Sequence, residues 1–358
     1  MKHRLMLIGP RAMSDSKNPE SSPAQSRWWL NVLLASAAIA VVAVIYVGMN
    51  PQAFSQRPAG SKLKLEEIPF NGQRAFEHLE AICQLGPRVS ATDRMRQQQD
   101  YLQAHFEKLG GKVRLQEWEV RHPENGARVT LANLIVEWHP EAKERIVLCT
   151  HYDTRPYAEN DPDSKLRRKP GVFLGANDGG SGTALLCELG EEMGKLSCKY
   201  GVDFVFFDAE EFIFDSDRDP YFLGSEHFAE QYVAEPPKYT YKKGVLLDMI
   251  GDKDLQIYRE LNSARWPDTQ PLVTDIWNTA RQLGVREFIP QTVHLVRDDH
   301  LALRNIAKIP TIDIIDFDYP RPRAQTYWHT AQDTPENCSA LSLAKVGYVL
   351  KEWLKKVK

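Results

Sequence analysis

The chain has little cysteine, five residues in 358. They are Cys83, Cys149, Cys187, Cys198 and Cys338, odd in number and never in C-x-x-C spacing, which excludes a disulfide framework and a zinc knuckle alike. Most suit the role of small buried hydrophobes, with one bridge compatible with an oxidising compartment. Positive charge is not in excess either. Lys and Arg number 45 against 48 Asp and Glu, a formal net charge of -3, and no Lys/Arg stripe interleaves with aromatics, so nucleic acid is excluded as a partner. Internal repeats and low-complexity tracts are missing, which excludes solenoids and repetitive arrays. What remains is ordinary globular composition, long enough for one large α/β domain and a small appendage.

The appendage is N-terminal. Residues 28–49 form an almost unbroken apolar run with Leu33, Leu34, Ile39, Val41, Val42, Val44 and Ile45, close to the roughly 20 residues that a bilayer-spanning helix needs. Trp28, Trp29 and Tyr46 suit its two interfaces with water. Residues 1–27 carry Lys2, Arg4, Arg11, Lys17 and Arg27 against Asp15 and Glu20, so this tail is expected to stay cytoplasmic. A single-pass protein results, with a lipid bilayer as partner and its catalytic domain outside the cytoplasm, periplasmic or luminal. A cleaved signal peptide is the alternative, but the preceding region is long and the run exceeds a signal core. Residues 50–64, with Pro51, Pro58, Gly60 and Ser61, read as a linker, and residues 65–358 as the catalytic domain.

Within that domain, helical spacing covers residues 75–85 and 92–109, separated by Gly86-Pro87. Alternation predicts strands over 113–120 and 129–138, joined as a hairpin at a sheet edge. From Ile146 onward, continuously apolar strands alternate with helices predicted at 181–196, 225–232, 270–283, 300–305 and 341–356. Such runs mark strands covered on both faces. The fold expected is a three-layer α/β/α domain with a mixed, mainly parallel central sheet, plus the N-terminal transmembrane helix.

Four of these runs end in chemistry. Ile146-Val147-Leu148 precedes His151 and Asp153; Val205-Phe206-Phe207 precedes Asp208, Glu210 and Glu211; Val245-Leu246-Leu247 precedes Asp248; Ile312-Asp313-Ile314-Ile315 comes some way before His329. Ligands of open α/β sheets sit beyond the carboxyl ends of the strands, so these residues describe one shared crevice if the strands lie side by side. The glycine-rich turn from Gly175 to Gly182 lacks the Lys-Ser/Thr end of a phosphate loop and carries Asp178 in its middle, which argues for a metal rather than a phosphate. Adjacent Glu210 and Glu211 beyond a buried strand need a cation or a shared proton. His329 adds an imidazole suited to zinc. Asp178, Glu211 and His329 therefore make three protein ligands with an open fourth position, as in catalytic zinc sites. His151-Tyr152-Asp153 and Asp248 either complete a second metal site, with Asp178 bridging, or orient the first set. The run Asp215-Ser216-Asp217-Arg218-Asp219 has calcium-loop spacing, but Pro220 stands where a turn glycine belongs, which favours a solvated loop.

Together, His151-Tyr152-Asp153, the 175–182 turn, Asp208-Ala209-Glu210-Glu211, Leu247-Asp248-Met249-Ile250-Gly251 and Trp328-His329-Thr330 resemble the zinc aminopeptidase superfamily in order and context. The narrower likeness is to animal-type glutaminyl-peptide cyclotransferases and their bacterial relatives. It rests on Asn262-Ser263-Ala264-Arg265-Trp266, Asp298-Asp299-His300 and Trp328, with Asp298 standing where aminopeptidases usually carry serine. The likeness runs from about Phe70 to the C-terminus. It implies Asp178, Glu211 and His329 as zinc ligands, Glu210 as proton shuttle, Asp248 and Asp298 as hydrogen-bonding acids beside it, and Trp328 as a wall of the substrate pocket. Two departures stand out. The tryptophan that the animal enzymes carry shortly after the ligand glutamate is missing, and Cys149 and Cys187 fall out of step with the family's disulfide, so that bridge is not expected.

The activity so implied is conversion of N-terminal glutamine of peptides or proteins to pyroglutamate with release of ammonia at one zinc. The competing reading is an aminopeptidase with two co-catalytic zincs, His151 and Asp248 among their ligands, and Glu210 activating water. A scaffold with a dead site is a third class, disfavoured by the intact ligand set.

Overall fold

The computed structural model describes residues 60–321 and 324–357. The expected anchor over 28–49 and the tail over 1–27 lie outside the described residues, as does most of the 50–64 linker. Among the described residues no helix is long and apolar enough to cross a membrane. At the end of the linker segment, Ser61 donates from its backbone N (2.9 Å) and its hydroxyl (3.1 Å) to Glu287 Oε1.

A six-stranded sheet is ordered β1-β2-β4-β3-β5-β8. Its strands are β1 (Lys112–Arg121), β2 (Arg128–Trp138), β3 (Glu144–His151), β4 (Gly201–Phe207), β5 (Thr240–Asp248) and β8 (Thr311–Ile315). β1 and β2 form the edge hairpin; β2 pairs antiparallel with β4, and β4, β3, β5 and β8 are mutually parallel. A separate two-stranded ribbon joins β6 (Ile257–Arg259) to β7 (Phe288–Thr292). The spacing rules did not anticipate that ribbon.

Alternation along the strands splits the core into two layers. Ile146 and Leu148, Phe204 and Phe206, and Val245 and Leu247 point into one cluster, while Val147 and Cys149, Val205 and Phe207, and Leu246 point into the other. The first is covered by α1 (Gly72–Gln84), α2 (Asp93–Lys108), α3 (Gly180–Met193), α6 (Gln270–Leu283) and α8 (Ala340–Lys356), the second by α4 (Leu223–Ala234) and α7 (His300–Asn305). The short α5 (Leu261–Arg265) leads into α6. This is the expected mixed, mainly parallel α/β arrangement with helices on both faces.

Local chemistry sets the helix boundaries. Asn71, Thr92 and Ser339 accept backbone N–H bonds at the starts of α1, α2 and α8, as N-cap residues do, and Gly284 (φ 76°) ends α6. All five cysteines are free thiols, four of them buried.

Candidate metal centre and active site

Because β4, β3, β5 and β8 lie side by side and parallel, their carboxyl ends open onto one crevice. His151 is the last residue of β3 and Asp248 the last of β5; Asp208 follows β4 directly. The backbone is strained there. Ala209 (φ 57°), Met249 (φ 49°) and His329 (φ 54°) all take left-handed conformations, which cost non-glycine residues free energy and cluster at functional sites. The turn before α3 needs its glycine: Gly179 has φ 75°, and a Cβ there would stand 2.7 Å from the Asp153 carbonyl and 3.0 Å from the His151 ring.

Three groups of donor atoms, each within 4.8 Å of one another, meet in this crevice: Asp178, Glu211 and His329; His151, Asp178 and Asp248; and His151, Glu210 and Glu211. The His329 Nε2 atom lies 2.7 Å from Glu211 Oε1 and 3.3 Å from Asp178 Oδ2. His151 Nε2 lies 3.0 Å from Asp178 Oδ1 and 3.2 Å from Asp248 Oδ1. Asp178, Glu211, His329, His151 and Asp248 are buried, Glu210 is partly exposed, and Asp178 Oδ2 has no hydrogen-bond partner. An unsatisfied carboxylate oxygen at that depth is costly unless a cation meets it. Two carboxylates and one imidazole in convergent positions fit zinc by donor chemistry.

Electrostatics agree with a site built for positive charge. Burial and the neighbouring Asp178 push the Glu211 carboxyl up. Burial opposes charge on His151, yet its bonds to Asp153, Asp178 and Asp248 lift it well above the usual imidazole range. Glu210 is pushed well up by burial, with Glu211, Asp298 and Asp299 adding to it and His151 opposing. Asp298 is raised well above its ordinary range by burial and by Asp248 and Asp299. Acids whose protonated form is favoured in this way can hold and return a proton.

Glu210, Asp248, Asp298 and Trp328 all line one cavity of about 330 Å³, together with Asp178, Glu211 and His329. Trp328 packs on His329, the two ring centroids 4.0 Å apart. Asp178, Glu210, Glu211, Asp248, Asp298, Trp328 and His329 thus share one cavity, His151 reaches it through Asp178 and Asp248, and the Asn262–Trp266 segment does not line it. The acidic run at 215–219 turns on itself instead: Asp219 Oδ2 accepts the N–H groups of Phe214 and Asp215, each at 2.8 Å.

Asp153, which the sequence offers with His151 and Asp248 as a ligand or an orienting partner, accepts the N–H of Glu210 (3.2 Å) and of Glu211 (3.0 Å), tying the end of β3 to the loop after β4. Sequence reasoning missed the other residues that hold this set in place. Arg155 donates its backbone N–H to Glu211 Oε2 (3.1 Å), and its Nε stands 3.0 Å from His329 Nδ1 and 2.6 Å from Glu159 Oε1. The Glu159 Oε1 atom is also 2.7 Å from His329 Nδ1, the outer carboxylate that orients a metal-binding imidazole. The fully buried Arg88 donates to the carbonyls of Leu174 and Gly175 at the foot of the 175–182 turn. The one signal available for Arg155 and Glu159 was their place within eight residues of His151.

A mixed, mainly parallel sheet with carboxylates and imidazoles gathered past its parallel strand ends is the layout of an α/β enzyme with a metal-binding crevice. Residues 133–354 match the model of peptidase family M28, and the chain belongs to that family. It is 27% identical over 250 residues to a glutaminyl-peptide cyclotransferase of Bothrops jararaca, an alignment covering 62% of this chain and 64% of that one. The chain thus spans less than two thirds of the length of that curated relative. Among solved structures, a glutaminyl cyclase of Fimbriiglobus ruber is 38% identical with a TM-score of 0.75, covering 85% of this chain and 100% of that one. A Zn-dependent exopeptidase of Parabacteroides distasonis is 34% identical with a TM-score of 0.73, covering 80% and 98%. Family and neighbours both imply zinc at this centre.

Proposed function

We propose that this protein is a glutaminyl-peptide cyclotransferase, closing the N-terminal glutamine of peptides or proteins to pyroglutamate with loss of ammonia. The observation that carries the reading is the convergence of Glu210, Asp248 and Asp298 on the cavity that also holds the Asp178, Glu211 and His329 group, in a chain similar to named glutaminyl cyclases. One zinc held by Asp178, Glu211 and His329 would supply Lewis-acid polarisation of the side-chain amide carbonyl.

The remaining steps belong to the chain's own residues. The substrate's α-amino nitrogen forms a bond to its own side-chain amide carbon, the bond to the amide nitrogen breaks, and ammonia leaves. One proton must move from the attacking amine to the departing nitrogen. Glu210, at the cavity wall, takes and returns it. Asp298, raised by burial and by Asp248 and Asp299, and Asp248, raised by burial and by Asp178, hold hydrogen bonds around that transfer. Trp328 confines the substrate in one folded conformer, and intramolecular attack draws its rate from that confinement. His151, within reach of Asp178 and Asp248, acts as their charge partner.

A second reading is favoured by the His151, Asp178 and Asp248 group, which shares Asp178 with the first: a two-zinc aminopeptidase. The deciding experiment gives the full chain a glutamine-terminated and a leucine-terminated peptide, with zinc counted per chain. Ammonia from the first with one zinc supports cyclisation; dominant leucine release with two zincs overturns it. On sequence grounds alone, the apolar run at 28–49 and its basic flank support a membrane anchor with the enzyme on the extracytoplasmic side.

A further inference from the structure

Among the described residues, the exposed large apolar side chains are Val233, Val293, Leu295 and Phe317. Two of these, Leu295 (64% exposed) and Phe317 (36% exposed), line the mouth of the active-site cavity, and Val293 lies on the same segment as Leu295. They continue an aromatic path that begins at the metal centre. Ring centroids are 4.0 Å apart from His329 to Trp328, 5.5 Å from Trp328 to Phe317 and 5.7 Å from Phe317 to His294. Arg297, exposed on the same rim, projects over the Phe222 ring at 5.9 Å.

In this cavity of about 330 Å³ Asp178, Glu211 and His329 are buried, while Leu295 and Phe317 line it from exposed positions. A peptide whose first residue reaches the buried end therefore lays its next residue along the exposed end. We infer that Leu295 and Phe317 form a subsite for the second residue of the substrate, selecting large apolar side chains there, with Arg297 disfavouring basic ones. This rests on the peptide-processing reading of the site and names its substrate class. Apolar surface exposed at a pocket rim gains by covering a partner's apolar side chain, and the cation repels Lys or Arg placed beside it.

The test compares kcat/KM of the full chain on glutaminyl-phenylalanine, glutaminyl-glycine and glutaminyl-lysine amides, with ammonia and free glutamine measured in the same samples. Phenylalanine should lead glycine by on the order of tenfold, with lysine the poorest. In the Leu295→Ser/Phe317→Ser double variant the phenylalanine-to-glycine ratio should fall to within about twofold, and Arg297→Gln should narrow the penalty on lysine. Leu295 and Phe317 are both exposed, and a ratio of two peptides is insensitive to the amount of folded enzyme. Equal rates on all three amides, or a ratio unchanged in the double variant, overturn the subsite. The same selection seen in glutamine release instead of ammonia supports the subsite while overturning cyclisation.

Discussion

Asp333 holds Asp178 from behind. Its Oδ2 accepts the backbone N–H of Asp178 at 3.1 Å, and its Oδ1 accepts that of Asn177 at 2.7 Å and the Tyr319 hydroxyl at 3.0 Å. A carboxylate on one loop thus fixes the direction in which the carboxylate of another enters the crevice. Asp333→Ala would leave two buried N–H groups unpaired, at a cost of roughly 1–3 kcal/mol each. The variant should melt at lower temperature and bind zinc about 10–100-fold more weakly, read by competition with a chromogenic chelator. Unchanged zinc affinity would show that Asp333 braces the turn without directing Asp178.

Glu210 differs from Glu211 by one position and by task. It is absent from the Asp178, Glu211 and His329 group, although its N–H is tied to Asp153 as Glu211's is. Glu210→Gln keeps shape and hydrogen-bonding capacity but cannot carry the proton. Turnover should fall by about 10²–10⁴-fold with zinc content unchanged. Full activity in this variant would remove Glu210 from the proton path.

Metal removal separates the donor groups. Dialysis against a chelator should abolish activity and lower Tm, because an ion bound by the native state alone stabilises it; zinc should restore both. Asp178→Asn, Glu211→Gln and His329→Asn should not recover with added zinc. His151→Gln should still bind one ion per chain, as measured by elemental analysis. If wild type held two and His151→Gln one, His151 would be a ligand rather than a charge partner.

Much of this site was legible in the sequence because sheet physics orders it. An apolar run that needs cover on both faces must end at the sheet's rim, so His151, Asp248 and the Glu210-Glu211 pair could be placed at strand ends without knowing the strand order. Helices whose boundaries coincide with turn chemistry were also legible: α6 and α7 span the expected residues, while α4 starts two residues earlier than expected, at Leu223. Supporting residues were not legible. Arg88, Glu159 and Asp333 act through contacts 86, 170 and 155 positions away in the chain, and no local pattern encodes such pairs. The ribbon of β6 and β7 was hidden for a related reason, since Ile257–Arg259 is too short to show alternation.

Acid stability offers a reading of the fold at a histidine that does not line the catalytic cavity. His78, on α1, places Nδ1 2.6 Å from the Tyr101 hydroxyl of α2 and its ring against His105 at 4.6 Å between centroids. Burial, reinforced by His105 and Arg74, pulls its pKa down to about 4, against about 6.5 for a free histidine. The unfolded chain therefore takes up a proton as pH falls through about 6.5 that the folded chain refuses until about pH 4. Stability from the neutral ring is fully present above the upper value and drains away across that window. His78→Asn removes the titration while keeping a polar side chain beside Tyr101. Its Tm should fall less than that of the wild type between pH 7 and pH 4, followed by circular dichroism. Parallel curves for the two proteins would show that the acid limb of stability arises elsewhere in the chain.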